Sequence, residues 1–231
     1  MKFYQIKRRR PSTIRKLSIT AWLIIITAII SLLVFILTFI SEDYINYFAL
    51  RPASIMSGQY LWALITHMFV HGGLAHLAIN MFVLFSLGDL CERIIGRKRF
   101  LWFYLLSGLL AGILSVILAH YFGTAGLGER IFGSPDVYMV GASGAIFAIS
   151  GLYVILLPRL KFMIIFLPFF SLPAYIMIPL VLFGVWLVTV LSGLPIGNVA
   201  HFGGFLVGIT YGLYLRKKYK NKVQMLQQMF R

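Results

Sequence analysis

The chain has 231 residues, of which 60% are hydrophobic and only 12% are charged, and its mean hydropathy is +0.91. Soluble globular chains carry about 25% charged residues, so this composition excludes an ordinary soluble domain and indicates an integral membrane protein. The formal net charge of +15 raises nucleic-acid binding as an alternative, but the basic residues lie in short segments between apolar stretches, which favours membrane topology over a nucleic-acid partner.

The first apolar stretch follows a basic N-terminal segment, residues 1–18, and runs from Ile19 to Ile40. It is long enough to cross a bilayer. A secretory signal peptide has a shorter apolar core and a small-residue cleavage site, so the sequence predicts a retained first span. The following stretch, Glu42 to Gly73, is aromatic and mixed, and predicts an outer-face loop lying partly among the lipid headgroups.

Five further apolar stretches predict spans, at residues 74–91, 100–121, 140–157, 174–190 or 191, and 199–215. The segment 162–173 is apolar but is broken by Pro168 and Pro173. It fits either an interfacial connection or an extension of a span, and the sequence does not choose between them.

The basic residues predict the orientation of these spans. Of the 21 Lys and Arg residues, 19 lie in four short segments, within 2–16, 93–99, 159–161 and 216–231, and only Arg51 and Arg130 lie in the other loops. Positive loops face the cytoplasm. The sequence therefore predicts an all-α bundle of six transmembrane helices with both termini cytoplasmic, in which the membrane domain 19–215 lies between the basic segments 1–18 and 216–231.

Polar residues fall near the outer ends of three predicted spans. Ser143 lies near the outer end of the fourth span, in the run Gly141-Ala142-Ser143-Gly144, and His201 lies near the outer end of the sixth. Polar side chains at membrane depth are costly and are therefore candidates for function. A serine and a histidine on separate spans can act as a nucleophile and its general base.

The second predicted span adds His76 and Asn80, whose spacing of four residues puts both on one helix face. Side-chain donors of this kind can stabilise an oxyanion. Of the six acidic residues, four lie in outer loops, and Asp89 and Glu92 lie at the opposite end of the second span. The sequence thus predicts a serine–histidine dyad without a carboxylate.

Small residues favour close approach of the fourth and sixth spans. They recur on one face of each: Gly144, Ala148 and Gly151 on the fourth, and Gly204, Gly208 and Gly212 on the sixth. Such faces let membrane helices touch backbone to backbone, which a serine–histidine hydrogen bond between spans requires.

Taken together, Gly141-Ala142-Ser143-Gly144, His76-xxx-Asn80 and His201-xx-Gly204-xxx-Gly208 resemble the motifs of the rhomboid intramembrane serine proteases, and their order along the spans does too. The resemblance covers Trp62 to about Gly212. It implies cleavage of transmembrane segments of other membrane proteins near the outer leaflet, without a cofactor or metal. It also implies that Ser143 is the nucleophile, that His201 is its base, and that the oxyanion hole is formed by His76, Asn80 and the Ser143 backbone N–H.

Further positions carry the resemblance or depart from it. His71 matches a histidine that supports the loop before the second span, and Glu92 and Gly96 resemble the acid and glycine that end that span. Phe147 stands where the family more often has a tyrosine that packs on the catalytic imidazole. Ala63 follows Trp62 where the family has an arginine, so the usual contacts of that arginine cannot form at this position.

Three other classes of function fit the sequence less well than a protease. A metal site at His67 and His71 lacks a nearby carboxylate or cysteine ligand, and the single cysteine, Cys91, permits no intrachain disulfide. A catalytically silent relative that binds membrane-protein clients for quality control would lack the serine or the histidine, and this chain has both. A transporter or channel is disfavoured because no internal repeat is evident. The absence of soluble domains and of a transit-like leader favours a prokaryotic plasma membrane.

Overall fold

The computed structural model describes residues 17–164, 167–193 and 197–230, so nearly all of the predicted basic segment 1–18 lies outside the described residues. The helices in chain order are α1 (Ile19–Ile40), α2 (Ile45–Phe48), α3 (Pro52–Met56), α4 (Ala63–Thr66), α5 (Leu74–Ile95), α6 (Arg97–Phe122), α7 (Gly126–Phe132), α8 (Ser143–Leu156), α9 (Ala174–Ser192), α10 (Asn198–Lys218) and α11 (Lys220–Met229). Short 3₁₀ turns occupy Glu42–Tyr44 and His67–Phe69.

Helices occupy all six stretches in which the sequence predicts spans. Four of them, α1, α5, α6 and α9, are long and apolar enough to cross a membrane, whereas α8 is apolar but has only 14 residues. This composition is that of an integral, multi-pass membrane protein. The boundary between α5 and α6 is set by Gly96, whose φ of 88° lies in the left-handed region that favours glycine.

The fold is mostly helical, as predicted, but the connection between α8 and α9 contains a small amount of sheet. Strand β1 (Lys161–Ile164) pairs with strand β2 (Leu167–Pro173) in an antiparallel hairpin, with Phe162 opposite Leu172. Proline disfavours a helix interior, and the aromatic and β-branched residues of this run favour strands. The segment is therefore a connection with β structure and does not extend a span.

Helix α8 lies at the centre of the bundle, where α5, α6, α9 and α10 all contact it. Ten of its 14 residues are buried. Its closest neighbour is α10, because glycines remove the side chains between them: a Cβ on Gly204 would lie 1.9 Å from the Gly144 carbonyl oxygen, and one on Gly208 would lie 2.0 Å from that of Ala148. The backbones of α8 and α10 are therefore in direct contact.

The N-terminus of α1 is held by an acid from another helix. The Glu92 carboxylate near the end of α5 accepts hydrogen bonds from the backbone N–H groups of Ile19 and Thr20, at 3.0 and 2.9 Å. It also accepts one from the Thr20 hydroxyl at 3.0 Å. Because a helix N-terminus has unpaired N–H donors and a partial positive charge, this buried carboxylate fixes α1 against α5.

Candidate active site

Ser143 and His201 are brought together by the contact between α8 and α10. Ser143 is the first residue of α8, and His201 lies in the first turn of α10. The Ser143 Oγ atom and the His201 Nε2 atom are 2.8 Å apart, a normal hydrogen-bond distance. In this arrangement a neutral imidazole can accept the serine proton at Nε2.

Packing holds the His201 ring in place. The ring is 8% exposed, and the Phe147 ring lies 4.6 Å from it, centroid to centroid, at an interplanar angle of 36°. Its Nδ1 atom is buried and has no hydrogen-bond partner among the described residues. Two acids that could have paired with a histidine have other partners: Glu92 accepts hydrogen bonds from the start of α1, and Asp136 pairs with Arg51. Ser143 and His201 thus form a hydrogen-bonded pair in which an aromatic ring packs against the histidine.

The two residues before Ser143 are anchored to the loop that precedes α5. The Gly141 N–H donates to the His67 carbonyl at 2.9 Å, and the Ala142 N–H points to the His71 Nε2 atom at 3.4 Å. Gly141 has a φ of 121°, and a Cβ there would lie 3.1 Å from the His76 Nε2 atom. Only glycine adopts this φ readily and leaves room for the His76 ring. Glycine at this position therefore lets the His76 ring lie close to Ser143.

A hydrogen-bond chain runs from α1 to this loop through His71. The hydroxyl of Ser31, buried on α1, donates to the Phe69 carbonyl at 2.8 Å, and the same oxygen lies 2.9 Å from the His71 Nδ1 atom. Since the only proton of Ser31 is used on Phe69, its oxygen accepts a proton from Nδ1. The other nitrogen, Nε2, is then an acceptor, as the contact with the Ala142 N–H requires.

The His71 imidazole must be neutral for these hydrogen bonds to form. His71 lies in the loop before α5, where burial, with a smaller contribution from His76, lowers the pKa of its imidazole to about 3. The ring is therefore uncharged near pH 7, which leaves Nε2 free to accept from the Ala142 N–H.

His76 and Asn80 lie on one face of α5, and the His76 ring lies on the same side of the bundle as Ser143. The His76 ring packs edge-on against His71, with centroids 5.0 Å apart, and borders Gly141. The Asn80 Nδ2 atom donates to the His76 carbonyl at 3.0 Å, which occupies one of its two amide hydrogens and leaves the second for another acceptor. The side chain of Asn80 is only 6% exposed.

The loop that carries Trp62 and Ala63 is stabilised without the arginine of the family motif. The Trp62 indole donates to the Tyr47 carbonyl at 2.8 Å and packs edge-on against Tyr60. Ala63 is fully buried, and its carbonyl lies 2.8 Å from the His67 Nδ1 atom. A buried alanine thus occupies the position of the missing arginine, and the surrounding aromatic rings hold the loop.

Sequence reasoning missed two contributors to the site. Ser31 gives no signal, because a serine in an apolar helix most often bonds its own backbone. His67 acts through its carbonyl, which no side-chain pattern reveals. Across the described ranges, no group of three or more His, Cys, Asp and Glu side chains is arranged to hold a metal ion.

Comparison with known proteins agrees with the resemblance found in the motifs. The Rhomboid domain model matches residues 58–218. The chain is 26% identical over 183 residues to Rhomboid protease GlpG of Haemophilus influenzae, covering 79% of this chain and 84% of GlpG. It is 35% identical over 125 residues to Rhomboid protease GluP of Bacillus subtilis, covering 53% of this chain and 21% of GluP.

A further relative is the human mitochondrial presenilin-associated rhomboid-like protein, 30% identical over 175 residues, which cover 76% of this chain and 42% of the relative. The chain thus spans most of GlpG, about a fifth of GluP and less than half of the human protein. The matched domain comprises well over half of the sequence and contains Ser143, His201, His71, His76 and Asn80. The chain therefore belongs to the rhomboid family.

Proposed function

We propose that this protein is an intramembrane serine endopeptidase that cleaves transmembrane segments of other membrane proteins near the outer leaflet. The observation that carries the proposal is the 2.8 Å contact between the Ser143 Oγ and His201 Nε2 atoms. Proteases among its relatives, GlpG and GluP, support the same class of reaction.

In the proposed mechanism, Ser143 attacks the carbonyl carbon of the scissile peptide bond while its proton passes to His201 Nε2. The tetrahedral intermediate collapses when His201 gives that proton to the leaving amine, which leaves an acyl-enzyme. Water, deprotonated by His201, then hydrolyses the ester and restores the serine.

The negative charge of the tetrahedral intermediate needs hydrogen-bond donors. We assign this role to the backbone N–H of Ser143 and to the side chains of His76 and Asn80. The Ser143 N–H is one of the unpaired donors at the start of α8, and the helix dipole favours an anion there. Gly141 places the His76 ring beside the same point.

A substrate helix would enter beside α9. The middle of this helix, residues 179–188, has no buried residue, whereas its buried residues lie toward its two ends, at Ala174, Met177, Ile178 and Thr189. A helix packed this lightly along its middle is the one most easily displaced. This route is consistent with a substrate that approaches within the plane of the membrane.

The basic segments complete the proposal for topology and location. We infer six spans within residues 19–215, with both termini and the basic segments on the cytoplasmic side. Ser143 and His201 then lie toward the outer side, where water can reach them. We infer that the membrane is a prokaryotic plasma membrane.

The test is cleavage of a panel of single-span reporter proteins by the purified protein in liposomes, with cut sites mapped by mass. We expect cuts in the outer part of the reporter span and loss of cleavage in Ser143→Ala. Ser150→Ala is the matched control, since Ser150 is buried on the same helix and bonds the Ile146 carbonyl of its own turn. Identical products from Ser143→Ala and the wild type would refute the proposal.

A further inference from the structure

A short helix, α11, lies within the predicted basic segment 216–231, at the end of the bundle opposite the candidate active site. Helix α11 follows α10 after a break at Tyr219, and its Val223 side chain is buried in the core. Leu226 and Phe230 pack against the same core, and the Gln227 amide lies 3.4 Å from the Ile155 carbonyl of α8. The end of the chain is therefore docked in a defined position under α8.

Docking of α11 creates a groove between it and the end of α10. The groove has a volume of about 510 Å³. Leu213 and Val223 contribute apolar surface to its lining, and Arg216, Lys217 and Lys220 contribute exposed cationic side chains. The groove thus combines an apolar surface with three positive charges.

These three cations are not neutralised by the protein. In the described part of the chain, the ion pairs involve Arg51, Arg93 and Arg97, and none involves a groove residue. By contrast, Lys218 and Lys222 lie over the ring of Tyr219, at 5.8 and 5.9 Å from its centroid. The charge of the groove is therefore available for an external anion.

An apolar stripe on α10 leads into the groove. Phe202, Leu206 and Leu213 lie on one face of the helix and are 55, 43 and 42% exposed. From Phe202 to Leu213 the stripe is about 16 Å long at ~1.5 Å per residue, close to half of the ~30 Å hydrocarbon core. The stripe therefore has the length of a lipid chain in one leaflet, and the cations lie where the headgroup of that lipid would be.

We propose that the groove between α10 and α11 is a binding site for an anionic glycerophospholipid. Arg216, Lys217 and Lys220 contact its phosphate, and an acyl chain lies along the stripe of Phe202, Leu206 and Leu213. A soluble anion would use the cations but not the apolar stripe, and a zwitterionic lipid would use the stripe but leave the positive charge unbalanced. An anionic lipid matches both features, and its binding would hold α11 against the bundle.

The test is native mass spectrometry of the full chain in detergent, with phosphatidylglycerol and phosphatidylcholine of identical acyl chains. The wild type should retain phosphatidylglycerol in preference. The triple variant Arg216→Gln, Lys217→Gln, Lys220→Gln should retain it at least about tenfold more weakly, because each basic residue near a lipid surface contributes to attraction.

A second triple variant, Lys161→Gln, Lys218→Gln, Lys222→Gln, removes the same total charge outside the groove and should retain the lipid as the wild type does. Leu213→Trp fills the groove without changing charge and should also weaken retention, which covers the case in which the first triple variant fails to fold. Equal loss in both triple variants, or no preference for phosphatidylglycerol in the wild type, would overturn the proposal.

Discussion

The Nδ1 atom of His201 distinguishes this site from a serine–histidine–aspartate triad. In a triad, a carboxylate accepts the hydrogen on Nδ1, fixes the ring and stabilises the imidazolium. Here Nδ1 is buried without a partner among the described residues, and the Phe147 ring supplies the orientation. Sequence reasoning anticipated a dyad because the acids could be placed away from the histidine by position alone. The hydrogen-bond chain of Ser31 could not be anticipated, because it depends on how α1 docks.

Asn80→Ala tests the proposed oxyanion hole. Asn80 has one amide hydrogen free for a developing charge, so its loss should lower kcat by roughly 10- to 1,000-fold while KM changes little. Reporter cleavage kinetics measure the effect, and thermal unfolding in detergent checks the fold. Asn221→Ala, an exposed amide on α11, serves as the control. Unchanged turnover in Asn80→Ala would remove Asn80 from the hole.

Ser31→Ala tests the positioning of the residues before the nucleophile. The change removes the acceptor for His71 Nδ1, so the ring no longer has to present Nε2 to the Ala142 N–H. The variant loses both hydrogen bonds of the buried hydroxyl. Loss of the one to His71, about 1–1.5 kcal/mol, should lower kcat by about tenfold, and Ser31→Thr should restore most of it. Ser115→Ala removes a buried hydroxyl that bonds only its own helix and should leave kcat alone. Equal kcat losses in Ser31→Ala and Ser115→Ala would argue against a positioning role.

At the scale of elements, the site depends on two helices whose backbones touch. The small-residue spacing in the sequence predicts this contact. In the structure, a Cβ added to Gly204 or Gly208 would lie 1.9 or 2.0 Å from a carbonyl oxygen of α8. Hydropathy does not predict the β1–β2 hairpin, because it does not separate a short apolar strand from a piece of helix. Pro168 and Pro173 were the available signal, and they show only that a helix is interrupted.

Gly208→Ala tests the α8–α10 contact. A Cβ at this position would lie 2.0 Å from the Ala148 carbonyl oxygen, so the helices must separate and the distance between Ser143 and His201 must grow. We expect a loss of about 1–3 kcal/mol in stability and a marked fall in cleavage. Gly184→Ala is the control for stability, because it adds the same methyl group with nothing within 4 Å of its Cβ. Normal stability and activity in Gly208→Ala would show that close backbone contact is not required.

At the scale of the whole molecule, the distribution of Lys and Arg is the basis for the proposed topology. It predicts an orientation that helix positions alone do not give, because a bundle packs equally well either way up. Val223, Leu226 and Phe230 recur at i, i+3 and i+7, which places them on one helix face, but this spacing does not predict which part of the bundle that face packs against. In the structure, that face packs against the core.

Single-cysteine labelling tests the topology. Cys91 is the only cysteine, so Cys91→Ala gives a cysteine-free background. In intact bacterial cells, a membrane-impermeant maleimide should label Thr124→Cys, exposed between α6 and α7. It should label Gln228→Cys, exposed on α11, only after lysis. The reverse pattern would mean that the bundle is inserted the other way up.

The most direct test of the central claim is covalent labelling by a fluorophosphonate, followed by mass mapping of the adduct. The proposed chemistry predicts one adduct, on Ser143, which disappears in Ser143→Ala, persists in Ser150→Ala and forms far more slowly in His201→Ala. An adduct on another residue, or labelling that persists in Ser143→Ala, would contradict the claim that Ser143 and His201 form a catalytic dyad.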